Sequence, residues 1–391
     1  MIPERLSGVE WLERPAVQKI FSVLDGASGR TRAVGGVVRD SLLGRMREHT
    51  DIDLATELLP VAVMQKAKAA NIAAYPTGID HGTVTLRLDD TTVEVTTLRQ
   101  DVATDGRHAT VEFGQDWEAD AARRDFTINA LYCHADGTIY DPLGGVGDLL
   151  NGWVRFIGDA KRRIAEDGLR VYRFFRFSAS HGGENFDPDG LAACRDAAED
   201  LDHIARERVG AEVLRMLALP RVASTLAVMD KLGLVRIEPG AVAALTRYEA
   251  LGGQSAPARL ALMGRDGLAR RQGEWRLSKA VSSHAERIAA AADLLRDGDV
   301  GWAAYRFGED AVEGLAVAAA EENWPRELLA ETARDMGRLP VAPMPVGGAD
   351  LEARGMKPGP DMGAALGMLE RAWVESGFGL SKEELLGRIF G

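Results

Sequence analysis

The sequence predicts an α+β protein whose sheet is confined to its N-terminal part, and three observations carry that expectation. Up to about residue 150, short apolar segments of strand character alternate with stretches of helical spacing. From about Ala119 the helical period takes over and persists to the C-terminus, apart from a strand-and-loop stretch at 131–156. The chain has 391 residues, more than the roughly 100–200 that one compact core usually holds, so two or more domains are expected.

In chain order, Pro15 to Leu24 has helical spacing and closes at Asp25-Gly26. Thr31 to Val34 is a short apolar strand running into Gly35-Gly36, and Val37 to Leu43 returns to helical spacing and stops at Gly44. Thr50 to Ala55 alternates polar and apolar residues, the pattern of a strand, and Pro60 to Ala70 reads as a helix. Gly82–Leu88 and Thr92–Leu98 are strands joined by an Asp89-Asp90-Thr91 turn. Residues 99–117 are polar and without period, and are expected to form a long functional loop. Pro340, Pro343 and Pro345 break the helical run before a last helical unit from Asp350 to Gly391. No internal repeat or low-complexity tract interrupts this order.

The 46% hydrophobic and 27% charged residues are those of an ordinary soluble globular protein. No apolar run approaches the ~18 residues of a membrane span, and the start, Met-Ile-Pro-Glu-Arg-Leu, does not suggest export. Cys133 and Cys194 lie far apart, which fits a reducing cytoplasm and argues against a disulfide framework or a cysteine zinc site. The formal net charge of -12 argues against coating nucleic acid non-specifically, though net charge says little about one cleft.

The chemistry concentrates in four segments. Asp51 and Asp53 are two apart on a strand, so both carboxylates point to the same face and Ile52 to the other. Paired acids repel unless a cation sits between them, and hard oxygen donors suit Mg²⁺, which takes one or two carboxylates plus substrate phosphates. A bare Asp-x-Asp usually means two solvated acids. Here it follows Gly35-Gly36-Val-Val-Arg39-Asp40, a strand–Gly-Gly–helix arrangement that lets a phosphate approach a helix N-terminus at Gly36, with Arg39 able to add a charge-assisted contact. A phosphate cradle beside metal-binding carboxylates is what nucleotidyl transfer needs. One Mg²⁺ would activate the attacking hydroxyl and a second would stabilise the leaving pyrophosphate. Glu94, on a later strand, is either a third carboxylate at the metals or an ordinary sheet-face acid.

The third segment, Arg123-Arg124-Asp125-Phe126-Thr127-Ile128-Asn129-Ala130, could hold a phosphate at Arg124 and a ribose hydroxyl at Asp125; its bland alternative is an internal ion pair. The fourth runs from Ala165 to Phe177. Asp167 and Arg170, i and i+3 on one helix, would ordinarily form a surface ion pair of ~0.3–0.5 kcal/mol. They also match the edge shared by cytosine and adenine, an amine donor beside a ring-nitrogen acceptor, and mismatch uracil and guanine. The protein itself would then act as template. Arg173 and Arg176 continue the row; on a straight helix Arg176 falls roughly opposite Asp167, so contact with phosphate, RNA or a neighbouring helix suits it better than base reading.

Taken in order, these four segments resemble the successive motifs of class II CCA-adding enzymes, the tRNA nucleotidyltransferases grouped with bacterial poly(A) polymerases. Asp105-Gly106-Arg107-His108 resembles the family's flexible loop, and Asp141-Pro142-Leu143-Gly144-Gly145 with Gly147-Asp148-Leu149 its linking segment. The strong resemblance covers about residues 30–180, with a weaker one in the tail from Gly355 to Glu383.

The resemblance implies a polymerase-beta-like mixed-sheet head (1–150), a helical neck that templates the nucleotide (151–220), a helical body (221–300) and a tRNA-binding tail (301–391). It implies Mg²⁺ on Asp51 and Asp53, CTP and ATP as substrates contacted by Gly36, Arg39, Arg124 and Asp125, base reading by Asp167 and Arg170 with Arg173 and Arg176 nearby, and the tRNA 3′ end as partner, with no DNA and no membrane. A poly(A) polymerase, or an enzyme adding only CC or only A, is the alternative within the family; a non-catalytic RNA-binding helical protein is the alternative outside it. No histidine of the C-terminal half is followed by Asp, so the metal-dependent phosphohydrolase domain of some bacterial members is not expected. Residues 155–176 carry seven basic and three acidic side chains. An acidic whole with a basic neck suits an enzyme that engages one RNA end rather than one that tracks long RNA.

Overall fold

The structure is a computed structural model that describes residues 4–45, 51–105 and 108–391. The chain divides into two compact units, Met1–Ile204 and Ala205–Gly391.

The first unit is built on a seven-stranded mixed sheet. In chain order its strands are β1 (Thr31–Val34), β2 (Ile52–Thr56), β3 (Ala73–Gly78), β4 (Thr83–Leu88) and β5 (Thr91–Thr97), then, after a separate hairpin of β6 (Arg99–Asp105) and β7 (His108–Phe113), β8 (Tyr132–Cys133) and β9 (Ile139–Tyr140). Their spatial order is β3-β4-β5-β2-β1-β8-β9. Among these neighbours β2 and β5 alone run parallel, with Ile52 opposite Val93 and Asp53 opposite Glu94. The period of two sorts the strands cleanly: Ile52, Leu54, Val93 and Val95 are at most 2% exposed, while Asp53 and Glu94 share the other face. Helices α1 (Glu10–Glu13), α2 (Pro15–Val23), α3 (Gly36–Leu42), α4 (Pro60–Ala69), α5 (Trp117–Ala122) and α6 (Gly145–Leu150) complete the sheet region. α2 shows the expected apolar stripe, burying Val17, Ile20 and Phe21.

Two strands differ from the sequence reading. β3 (Ala-Ala-Tyr-Pro-Thr-Gly) is an edge strand with mostly exposed side chains, so it lacks the apolar alternation that announces a strand, and Pro76 is tolerated because an edge need not donate on both sides. Within residues 99–117, expected as a loop, Arg99–Asp105 and His108–Phe113 pair as the antiparallel β6–β7 ribbon. This ribbon pairs outside the main sheet, and its polar composition gives no period-two signal. Gly106 and Arg107 of the loop motif lie outside the described residues.

After the sheet come α7 (Ala160–Glu166), α8 (Leu169–His181) and α9 (Pro188–Ala197), all within the same unit. α8 is fastened by aromatic packing. Phe156 stacks on Phe174 at 5.5 Å between centroids, Phe126 lies 4.9 Å from Phe156 and 5.6 Å from Phe177, and Phe186 closes on Phe175 at 5.6 Å. Such contacts contribute ~0.5–1.5 kcal/mol per pair beyond the area they bury.

The second unit is all-helical. Helices Lys279–Arg296 and Glu309–Glu322 approach so closely that a Cβ on Gly314 would stand 2.8 Å from that of Ala291. Arg259 and Arg271 are almost fully buried and satisfy backbone carbonyls: Arg259 those of Leu217, Pro220 and Gly253, Arg271 those of Gly264, Met263 and Arg236. Toward the C-terminus, Leu351, Leu369, Trp373 and Leu385 form a core of their own. Among the described residues no helix is long and apolar enough to cross a membrane.

Candidate active site

The Gly35-Gly36 turn ends β1 and opens α3. Gly35 has φ 72° and ψ −125°, a conformation that side-chain-bearing residues avoid. Two cations flank the turn. Arg124 Nη1 is 3.9 Å from where a Cβ on Gly35 would sit, and Arg39 Nη2 is 3.8 Å from the corresponding point on Gly36.

Each cation is held. Arg124 donates from Nη2 to Asp120 Oδ2 at 3.0 Å and from Nε to the Tyr132 hydroxyl at 3.2 Å, and Tyr132 donates in turn to the same Asp120 oxygen at 2.8 Å. Burial works against the Arg124 charge, but Asp120 and Tyr132 outweigh it and raise its pKa. Arg39, buried, donates to Asn129 Oδ1 at 2.6 Å and to Asp40 Oδ1 at 2.8 Å. Asp40 also meets His181 Nε2 at 3.1 Å; burial alone would raise its carboxyl, yet the bonds from His181 and Arg39 bring it down to about 2.

Asp53 lies on β2 and Glu94 on β5, while Asp51, expected on the same strand, stands immediately before β2 begins. Burial, then the neighbouring Glu94, push Asp53 up to about 6; Arg124 opposes them and Asp51 adds to them. The structure therefore brings Asp53, Asp51, Glu94 and Arg124 within electrostatic reach of one another. Glu94, left open by the sequence, is the register partner of Asp53. A carboxyl whose ionised form is disfavoured by burial and by neighbouring acids is one that a bound cation would stabilise. The donor set is hard oxygen and fits Mg²⁺. Among the described residues no three His, Cys, Asp or Glu groups are placed to enclose an ion by themselves.

Two expectations for the arginine segments change. Asp125 accepts from Phe126 N (2.8 Å) and Asn129 Nδ2 (3.0 Å) on one oxygen, and from Arg173 Nε (2.7 Å) and Nη2 (2.5 Å) on the other. These four bonds use the roughly four lone-pair sites of a carboxylate. The geometry thus gives Asp125 a bracing role, the internal ion pair offered as its alternative. Burial opposes its charge, but Arg173 and Asn129 keep its pKa low. The chain Arg173–Asp125–Asn129–Arg39 links α8 to the turn. Asp125→Ala takes the acceptor away from the buried Asn129 amide and Phe126 N–H and removes one ion-pair partner of Arg173, and should cost about 2–4 kcal/mol; urea unfolding followed by tryptophan fluorescence is the measurement.

The second change concerns Asp167 and Arg170, which do not share one continuous helix. Asp167 is extended (φ −153°, ψ 102°) at the end of α7, and its Oδ1 caps the next helix by accepting from Leu169 N at 3.1 Å. Arg170 sits in the first turn of α8 and donates from Nη1 to Glu166 Oε2 at 2.8 Å and to the Arg163 carbonyl at 2.7 Å. The break falls at the extended Asp167, and the missing side chain at Gly168, itself of ordinary helical φ, leaves room for Ile204 and Leu201. Because α8 is a new helix, the straight-helix argument that set Arg176 opposite Asp167 lapses; Arg170, Arg173 and Arg176 form a half-buried row on α8, with Arg176 4.2 Å from the Phe177 ring centre. Sequence reasoning passed over Asp120, Asn129 and Glu166. Asp120 and Glu166 had a signal, each standing four residues before the arginine it holds.

The comparisons extend this. Residues 31–155 match the profile of the Poly A polymerase head domain, and residues 185–245 that of the "Probable RNA and SrmB- binding site of polymerase A". With the mixed sheet and its carboxylate pair, they make the chain a nucleotidyltransferase of the polymerase-head class. It is 34% identical to mouse "CCA tRNA nucleotidyltransferase 1, mitochondrial" over 97% of this chain and 92% of that one, and 33% identical to the "CCA-adding enzyme" of Levilactobacillus brevis over 92% of each. Its fold matches the crystal structure of the Bacillus stearothermophilus CCA-adding enzyme in complex with CTP with a TM-score of 0.78 and 29% identity, covering 96% of this chain and 98% of that one. The chain belongs to the family of CCA-adding tRNA nucleotidyltransferases.

Proposed function

We propose that this protein adds C, C and A to the 3′ end of tRNA from CTP and ATP without a nucleic-acid template. The observation that carries the reading is the position of Arg124: anchored by Asp120 and Tyr132, it flanks the Gly35 turn and acts electrostatically on Asp53, so phosphate and metal would meet at one point.

In this reading Asp51 and Asp53 hold Mg²⁺, two ions in the full complex. When bound there, Mg²⁺ would lower the pKa of the tRNA 3′-hydroxyl and offset the charge of the departing pyrophosphate. Arg124 and Arg39 draw the triphosphate against the backbone at Gly36, where the absence of side chains permits close approach. Arg170, steadied by Glu166, donates to the ring nitrogen of cytosine or adenine, and Asp167 accepts from the exocyclic amine. Asp125 and Arg173 keep α8 in register with the turn, and Arg176 meets phosphate or RNA from the same row. Functionally the chain divides into head (1–150), neck (151–220), body (221–300) and tail (301–391), the last two engaging the tRNA. A cytoplasmic setting belongs to the same proposal, and cell fractionation tests it.

Purified protein given Mg²⁺ and tRNA lacking its CCA end should incorporate CMP from CTP alone and, with CTP and ATP together, add AMP after CMP and stop after three additions. Long A tails on arbitrary RNA would replace this reading with poly(A) synthesis; RNA binding without incorporation would replace it with a non-catalytic role. Chelation with EDTA should abolish incorporation and excess Mg²⁺ restore it.

A further inference from the structure

Arg163 is a buried cation that neither binds a nucleotide in the reading above nor forms an isolated ion pair. It lies on α7 with about 8% of its surface exposed. Its Nη1 donates to Glu166 Oε2 at 2.5 Å, and its Nη2 donates to the carbonyls of both Arg123 and Arg124. Those carbonyls follow α5, at the negative end of a helix, where carbonyls lack helical partners and a cation is favoured. Glu166 Oε2 is also the oxygen that holds Arg170, and the Arg163 carbonyl accepts a second bond from the same Arg170 nitrogen.

One residue therefore touches both halves of the nucleotide site. Through its side chain it fixes the peptide that carries Arg124. Through Glu166 and its own carbonyl it fixes the guanidinium of Arg170. We propose that Arg163 is a positioning residue that sets the spacing between the triphosphate-holding Arg124 and the base-reading Arg170, so that a nucleotide is aligned for attack only when its base fits. This rests on the assignment of those two arginines made above. The role needs a planar fork: an ammonium is a point charge and cannot reproduce the same set of donors toward two carbonyls and a carboxylate. Misplacement by about 1 Å can cost ~100-fold in rate without loss of the bound ligand.

The test measures CTP, ATP, UTP and GTP incorporation on tRNA substrates by wild-type protein, Arg163→Lys, Arg163→Ala, Glu166→Gln and Arg170→Ala, with folding followed by circular dichroism and tRNA affinity by filter binding. Arg163→Lys is expected to lower kcat for CTP about 10- to 100-fold with KM raised less than about threefold, and to lower the preference for C and A over U and G at least about tenfold. tRNA affinity should stay within about twofold, since the proposed role is to align the nucleotide and the contacts of Arg163 are to Glu166 and to the carbonyls of Arg123 and Arg124. Glu166→Gln, which keeps the shape but not the charge, should lose the same preference, and it serves if the Arg163 variants do not fold. If Arg170→Ala loses the preference while Arg163→Lys and Glu166→Gln keep it, the positioning role is overturned and the base-reading assignment stands. If wild type shows no preference, or Arg170→Ala keeps it, the underlying reading fails instead.

Discussion

Asp53→Asn should stop nucleotide incorporation and, in the absence of divalent metal, make the protein more stable. The loss of activity follows from the metal assignment: an amide is a poor substitute for a charged oxygen donor, and several kcal/mol of transition-state stabilisation corresponds to roughly a thousandfold or more in rate. The gain in stability follows from the carboxyl's surroundings. Its pKa stands at about 6 in the folded protein, raised by burial and by Glu94, against ~3.9 in an unfolded chain. Between these values the folded state holds more protons than the unfolded one, so stability falls as pH rises from about 4 to about 6 and stays at the lower level above that. Allowing for the partial solvent access of the side chain, the ionised carboxylate costs about 1–2 kcal/mol at pH 7.5. Asparagine removes that cost. Thermal unfolding in EDTA should show the variant above wild type at pH 7.5 and level with it near pH 4. Added Mg²⁺ should then raise the wild-type midpoint but not that of the variant. A variant less stable than wild type at pH 7.5 would contradict the electrostatic account of this site.

Arg170→Ala should change which nucleotide is used more than how well RNA is bound. The two bonds to Glu166 and to the Arg163 carbonyl both use Nη1, so they fix the plane of the guanidinium without consuming its other edge. A well-formed bidentate contact contributes ~1–3 kcal/mol of discrimination between bases, which corresponds to a loss of roughly 5- to 150-fold in the preference for CTP and ATP over UTP and GTP. Competition assays with all four triphosphates measure it directly. Unchanged preference would remove the basis for a protein template.

Much of this site is legible in the sequence because it depends on short-range geometry. Asp53 falls on the sheet face opposite Ile52 and Leu54 by the strand period alone, and Gly35 announces a turn that no other residue type forms easily. The partners that hold the arginines are harder to read. Asp120 and Glu166 stand at helical spacing from the cations they serve, yet each position also offers a nearer candidate, and the sequence argument took Asp167. The break at Asp167 has no strong punctuation, because one glycine after it inside an apolar period reads as a tolerated defect. Long-range pairs such as Arg39 with Asn129, ninety residues apart, or Asp40 with His181, 141 apart, leave no local trace. β3 and the β6–β7 hairpin escape for another reason, having no apolar alternation to display.

The pairing of β2 with β5 limits how this protein can drift over evolutionary time. Val93 and Val95 face the core and Glu94 faces Asp53. Substitutions along β5 alter one contact at a time, but a single inserted residue would turn Glu94 inward and a valine outward. The strand is thus open to spelling changes and closed to changes of length. Lineages should accumulate insertions at the Asp89-Asp90 turn or beyond Leu98, leaving the seven letters from Thr91 to Thr97 uncut.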